Sequence, residues 1–180
     1  MRRDPPSLVA GPAAATWVTA DGEVNEISHR EAVDRAQAEA PLVCHLPSLA
    51  RRLGSEAFPA YDILELFAFV RPARFCLPTP PGVAAALGVR APRSQAEAAG
   101  LLAALARKLL AELAPSDGAA SLLPGLTQAG WSWAPALSGA LGTGPNAAPA
   151  ARGGLAVWRQ LPQWVGEAPP DPPGSLPVEA

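Results

Sequence analysis

The sequence predicts an α/β domain with a mixed sheet flanked by helices, and three observations carry that expectation. β-forming residues stand on both sides of an Asp-Gly pair across Thr16–Ile27. Short apolar runs then alternate with helical patterns, and leucine recurs at helical spacing through Ala96–Leu113.

Residues 1–13 are polar, charged and proline-bearing, and are expected to be a flexible lead-in to a domain spanning 14–141. Asp21-Gly22 between two β-rich runs is a strong short-range hairpin signal, because its positions tolerate positive φ. Ser28 with Glu31 makes a capping box, and Ala32, Val33, Ala36 and Ala40 follow at helical spacing, so a first helix is expected to run to about Glu39. Pro41 ends it. Leu42–His45 has the length of a buried strand, and Pro47, Leu49, Ala50 and Leu53 then describe a short helix closed by Gly54. Ile63–Val70, led by Asp62, reads as a half-buried helix. Thr79 caps another over Pro81–Leu87. Ser94 and Glu97 form a second capping box, opening the longest helix with Leu101, Leu102, Leu105, Leu109 and Leu113 on one face.

After Asp117-Gly118 the helical signal thins. Trp131–Leu141 reads as a short helix capped by Ser132, with Trp131 and Trp133 packing back on the domain. Residues 142–180 are expected to be a Gly/Pro-rich linker: Gly142–Gly154 is loop-like, Val157–Val165 holds Trp158 and Trp164, and the end is a polyproline-like spacer.

The bulk numbers narrow the function classes. In 180 residues, half of them hydrophobic, there is room for one ordinary core. Charged residues are 17% and the net charge is −2, so no global basic field exists and any nucleic-acid contact must be local. Cys44 and Cys76 have no CxxC spacing, and no secretory leader or long apolar run is apparent. A reduced, cytoplasmic chain without a membrane partner is expected. His29, Cys44, His45 and Cys76 match no zinc-ligand pattern, and His45 is expected to hold a loop at its strand's end.

The order hairpin, helix, strand with histidine, helix, Asp-led helix and small helix ending in Leu-Gly resembles the DnaQ-like 3′–5′ exonuclease fold, of the RNase H-like class. Three words carry the likeness over roughly residues 14–114. Leu42-Val-Cys-His45-Leu-Pro-Ser-Leu49-Ala50 is similar to that family's strand followed by HNxxFD. Tyr61-Asp62-Ile-Leu-Glu-Leu66 is similar to DTLEL, and Leu77–Val89 to YSLxxLAxxLGI.

The resemblance implies a fold built to hold two divalent metals with four carboxylates, which activate a water and stabilise the leaving oxygen. In this sequence the grip is broken. The Asp-x-Glu of the first strand has its counterpart in Asp21-Gly22-Glu23, which reads better as the hairpin turn. Leu46 and Ala50 replace the Asn and the ligand Asp of the second motif. At the start of the long helix, Arg90, Pro92, Arg93 and Gln95 stand where a His and an Asp are expected. Asp21, Glu23, His45, Ala50 and Asp62 are therefore vestigial exonuclease positions with no catalytic or metal role, Asp62 being expected to cap the Ile63 helix.

A second likeness concerns the C-terminal part. Gly130-Trp-Ser-Trp-Ala-Pro-Ala136 and Leu155-Ala-Val-Trp-Arg-Gln-Leu-Pro-Gln-Trp164, followed by the proline-rich stretch, resemble the segment leading into the motor of bacterial, in particular alphaproteobacterial, DinG-type ATP-dependent DNA helicases. The implied role is a non-catalytic accessory domain, a fragment ahead of a motor that would supply ATP hydrolysis, magnesium and an iron–sulfur cluster. The sequence contains no GxxxxGK[ST] phosphate loop and no four-cysteine cluster, so those cofactors belong to the missing motor alone. Partners implied are DNA, through the parent protein, and that motor. Arg51, Arg52, Arg71 and Arg74, with Arg90 and Arg93, are candidate DNA contacts because guanidinium pairs bidentately with phosphate. Two other readings stay open: a residual metal-dependent 3′–5′ exonuclease using Asp21, Glu23 and Asp62, and a stand-alone protein-interaction module.

Overall fold

The strand at the centre of the sheet comes from the segment that the sequence assigns to a flexible lead-in. In the computed structural model, which describes residues 4–113 and 117–141, Ser7–Ala10 forms β1. Leu8 within it is fully buried. Four residues between Pro5-Pro6 and Gly11-Pro12 give little local signal. Pairing on both sides makes them a strand, and pairing is a tertiary event.

β2 (Ala15–Val18) and β3 (Val24–Ile27) form the expected hairpin. Its turn is longer than the Asp-Gly pair alone. Gly22 N–H donates to Thr19 O at 2.9 Å and Thr19 N–H to Glu23 O at 2.9 Å, so Thr19–Gly22 is the turn proper. Only Gly22 has positive φ, +88°, a left-handed position following the turn that suits glycine. β4 (Leu42–Val43) and β5 (Tyr61–Asp62) complete a five-stranded sheet in the order β3-β2-β1-β4-β5. β2 runs antiparallel to both its neighbours, whereas β1, β4 and β5 are parallel. The fold is thus α/β with a mixed sheet.

Seven helices lie among the described residues: α1 (His29–Ala38), α2 (Leu46–Leu53), α3 (Ile63–Val70), α4 (Pro80–Ala86), α5 (Gln95–Glu112), α6 (Asp117–Gln128) and α7 (Ala134–Ala140). Their starts are written in local chemistry. Ser28 Oγ accepts from Glu31 N–H, Thr79 Oγ1 from Gly82 N–H, and Ser94 Oγ from Glu97 N–H, each satisfying an amide that the helix itself leaves unpaired. α6 is a helix that the thinning signal after Asp117-Gly118 does not predict. Gly118, Pro124 and Gly125 depress its intrinsic propensity, and it forms against α7. α7 starts after Trp133 rather than Ser132.

Strand alternation sorts the core into two layers. Leu8 and Val43 face one side, with Trp17, Ala32, Ala36, Leu53 and Phe58, under α1 and α2. Val9 and Leu42 face the other, with Phe67, Leu102, Leu105 and Leu109, under α3, α4, α5 and α7. The sheet is therefore covered on both faces, as its short parallel strands require. The linker expected over 142–180, with Trp158 and Trp164, lies outside the described residues.

Candidate functional site

The parallel strands share one C-terminal edge, and the polar side chains of interest gather there. Asp62 is the most constrained of them. It is only 3% exposed, ends β5 and caps α3, accepting from Leu64 N–H at 2.8 Å and Glu65 N–H at 3.4 Å. Its second oxygen accepts from Leu46 N–H at 2.6 Å, so one carboxylate serves the first turns of α2 and α3 together. Burial pushes its pKa up, against the downward pull of these amide bonds. The expected capping role is met, and the bond to α2 is an addition.

His45 precedes α2, and its Nδ1 lies 2.8 Å from Ser48 Oγ, so it holds the strand-to-helix turn. Ala50 is buried in the layer beneath α1 and α2. Cys44 is buried beside Asp62, and its thiol is pushed up to about 12, first by burial, then by the nearby Asp62 and Cys76. It is held as a neutral thiol, the inert form.

Asp21 and Glu23 are elsewhere. In the sheet register, Ser7 is opposite Val18 and also beside Leu42, which pairs with Tyr61. The β2–β3 turn therefore leaves the edge where the parallel strands begin, and His45 and Asp62 follow the edge where they end. The sequence likeness would bring these acids together, and the topology puts them at opposite ends of the sheet. Moreover, the first strand is β1, Ser-Leu-Val-Ala, and carries no acid. Among the described residues no group of three or more His, Cys, Asp and Glu side chains is placed to hold a metal ion. The residues present do not fit a two-metal centre.

Beyond the end of β1 lies an open cleft of about 370 Å³, inside the usual size range of ligand sites. Val9, Ala10 and Gly11 form its floor, Arg52 of α2 and Pro80 and Pro81 of α4 its sides, and Pro92–Gln95 with Ala98 the wall at the start of α5. Gln95 organises that floor. Its Nε2 is 3.2 Å from Val9 O, 3.2 Å from Ala14 O and 3.0 Å from the buried Thr16 Oγ1, so an amide clasps the β1–β2 turn. From the other layer His29 Nε2 lies 3.1 Å from Gly11 O. A Cβ on Gly11 would overlap Gln95 Oε1, which is why the chain needs glycine there.

This clasp makes a prediction. Gln95→Ala removes the side-chain amide from Thr16 Oγ1 and Val9 O, while Ala14 O keeps the Gly11 N–H, and is expected to cost about 1–3 kcal/mol. Gly11→Ala should cost a similar amount in the wild type by displacing the same amide, and less in a Gln95→Ala background, where only Ala14 O, 3.3 Å from the new Cβ, still crowds it. Urea unfolding of the four proteins measures the cycle, and strict additivity of the two costs would show that they act separately.

The candidate arginines divide. Arg71 makes two bonds to Glu112, at 2.8 and 3.0 Å, and one to Ala86 O at 2.7 Å, bracing α3, α4 and α5 together. Arg90 pairs with Glu97 at 3.8 Å. Arg51 and Arg74 are exposed and lie outside the cleft lining, which contains only Arg52 and Arg93 of the six. Sequence reasoning missed the Gly11–Gln95 contact, since nothing local links positions 84 residues apart. Trp131 and Trp133 do pack back on the domain: their indole N–H groups donate to Glu65 Oε2 and Asp62 O, both at 2.7 Å.

No protein-family model, curated protein or solved structure matches the chain. No helix among the described residues is long and apolar enough to cross a membrane.

Proposed function

We propose that this chain is a non-catalytic, exonuclease-like accessory domain of an ATP-dependent DNA helicase, serving DNA unwinding or repair by contacting DNA or positioning a motor. The fold supports the RNase H-like reading through its element order: hairpin, helix, strand with His45, helix, Asp62-led helix and a small helix closing at Gly88, on a mixed sheet with helices on both faces. The single observation carrying the non-catalytic part is the edge of β1. Where the likeness requires acids on the first strand and on the long helix, this chain has an acid-free strand and the amide of Gln95. Nuclease chemistry by two metals has nothing to bind it there.

The purified protein is expected to release no nucleotide from 3′-labelled single-stranded DNA in excess magnesium or manganese, above a blank without protein. Magnesium-dependent release abolished by Asp62→Asn would replace this reading with the residual exonuclease. The helicase assignment has its own test in the gene: a GxxxxGK[ST] phosphate loop encoded within about a hundred residues downstream of Ala180 supports it, and a reading frame without one sinks it.

A further inference from the structure

We propose that the cleft at the end of β1 is a binding site for a nucleotide unit of single-stranded DNA, its phosphate held by Arg52 and Arg93. The inference rests on the reading of the chain as a DNA-contacting accessory domain and names the surface that makes the contact. Three features carry it. Arg52 and Arg93 come from different elements, α2 and the segment before α5, and converge on one cleft. Both side chains are exposed, and among the described residues no carboxylate pairs with either guanidinium; Arg51 and Arg74 are likewise without an ion pair but lie outside the cleft, and Arg35, Arg71, Arg90 and Arg107 have acidic partners. Guanidinium groups without a partner in a cleft lacking acids favour an oxyanion, and phosphate accepts from them in the bidentate manner that suits arginine.

The rest of the lining is complementary to the other part of a nucleotide. Pro80, Pro81 and Pro92 with Val9 and Ala10 give an apolar wall of a size for a base and sugar. The start of α5 is not the anchor, because Ser94 Oγ already takes the Glu97 N–H. Glu97, outside the lining, accepts from Arg93 N–H at 2.8 Å and sits near Arg90, so its charge is partly answered beside the cleft. With the chain at net charge −2, a diffuse basic surface does not compete with this explanation.

The test is fluorescence anisotropy of a short labelled oligodeoxythymidylate with the 180-residue protein and with Arg52→Gln, Arg93→Gln and Arg74→Gln. All three arginines are exposed, so these variants are expected to keep the wild-type melting temperature. Saturable binding is expected, weakened about tenfold by each cleft substitution and unchanged by Arg74→Gln. The slope of log affinity against log salt should also fall by about 0.7 for each phosphate contact removed. Absence of saturable binding, or equal weakening by Arg74→Gln, overturns the site. Binding of free thymidine monophosphate without binding of the oligomer overturns the DNA assignment. Failure of the site alongside a downstream phosphate loop leaves the helicase reading intact, and magnesium-dependent nucleotide release defeats that reading whether or not the cleft binds.

Discussion

Leu105→Asp is expected to abolish cooperative folding. Leu105 is fully buried at the middle of α5, packed in the layer that contains Leu66, Phe67, Leu102 and Leu109 beneath the sheet. An aspartate there loses the leucine's burial and places a carboxylate where no cation or amide waits for it. The combined cost is roughly 5 kcal/mol or more, comparable with the whole stability of many domains. The variant should be insoluble or should melt without a sigmoidal transition in circular dichroism. Ala104→Asp, one residue earlier on the exposed face, controls for helix propensity and should fold normally at a cost of about 0.5 kcal/mol. A cooperatively melting Leu105→Asp protein would refute the placement of α5.

Asp62→Ala is expected to be nearly as damaging without touching an apolar contact. It removes the acceptor of three amide bonds at the starts of α2 and α3, in a position 3% exposed where water cannot take over. A lost cap costs about 1 kcal/mol and each orphaned buried donor about 1–3, so about 3–4 kcal/mol in all. The melting temperature should fall by roughly 10 °C or more. Asp62→Asn keeps one oxygen for Leu64 and Glu65 and should lie between alanine and wild type.

The asparagine variant also gives the pH dependence its sign. Because burial raises the Asp62 carboxyl above 3.8, the folded protein holds that proton more tightly than the unfolded chain. The stability it contributes is greatest below 3.8 and falls as pH rises through the folded value. Asparagine does not titrate, so the wild type's advantage over Asp62→Asn should narrow as pH is raised across that window. Denaturant unfolding at a series of pH values reads it directly, and a widening gap would show that the amide bonds outweigh burial.

Legibility followed the range of the interaction. Ser28, Thr79, Ser94 and Asp62 announce helix starts because a cap is made with amides two or three residues away. The leucines of α5 and the turn at Gly22 are local in the same sense. β1 and β5 are different: with four and two residues they carry almost no periodicity, and Ser7–Ala10 reads as lead-in, whereas β4 stands out as part of the apolar run Leu42–His45. The same limit hid part of the candidate site. Asp21 and Glu23 look like a first-strand acid pair only until the register places their turn at the far end of the sheet. Arg71 and Arg52 look alike in sequence, and only packing shows that one braces Glu112 while the other lines the cleft.

By itself, then, the sequence determined which segments up to Glu112 are helices, where most of them begin, which residues their buried faces use, and that the hairpin turns near Asp21-Gly22. Those properties depend on neighbours within a few residues along the chain. Tertiary structure alone decided that Ser7–Ala10 is the central strand, that the acids do not converge, and that Gln95 meets Gly11 where two arginines face a cleft. Such facts rest on hydrogen bonds and contacts between residues far apart in the chain, whose pairing is set by burying both faces of the sheet at once.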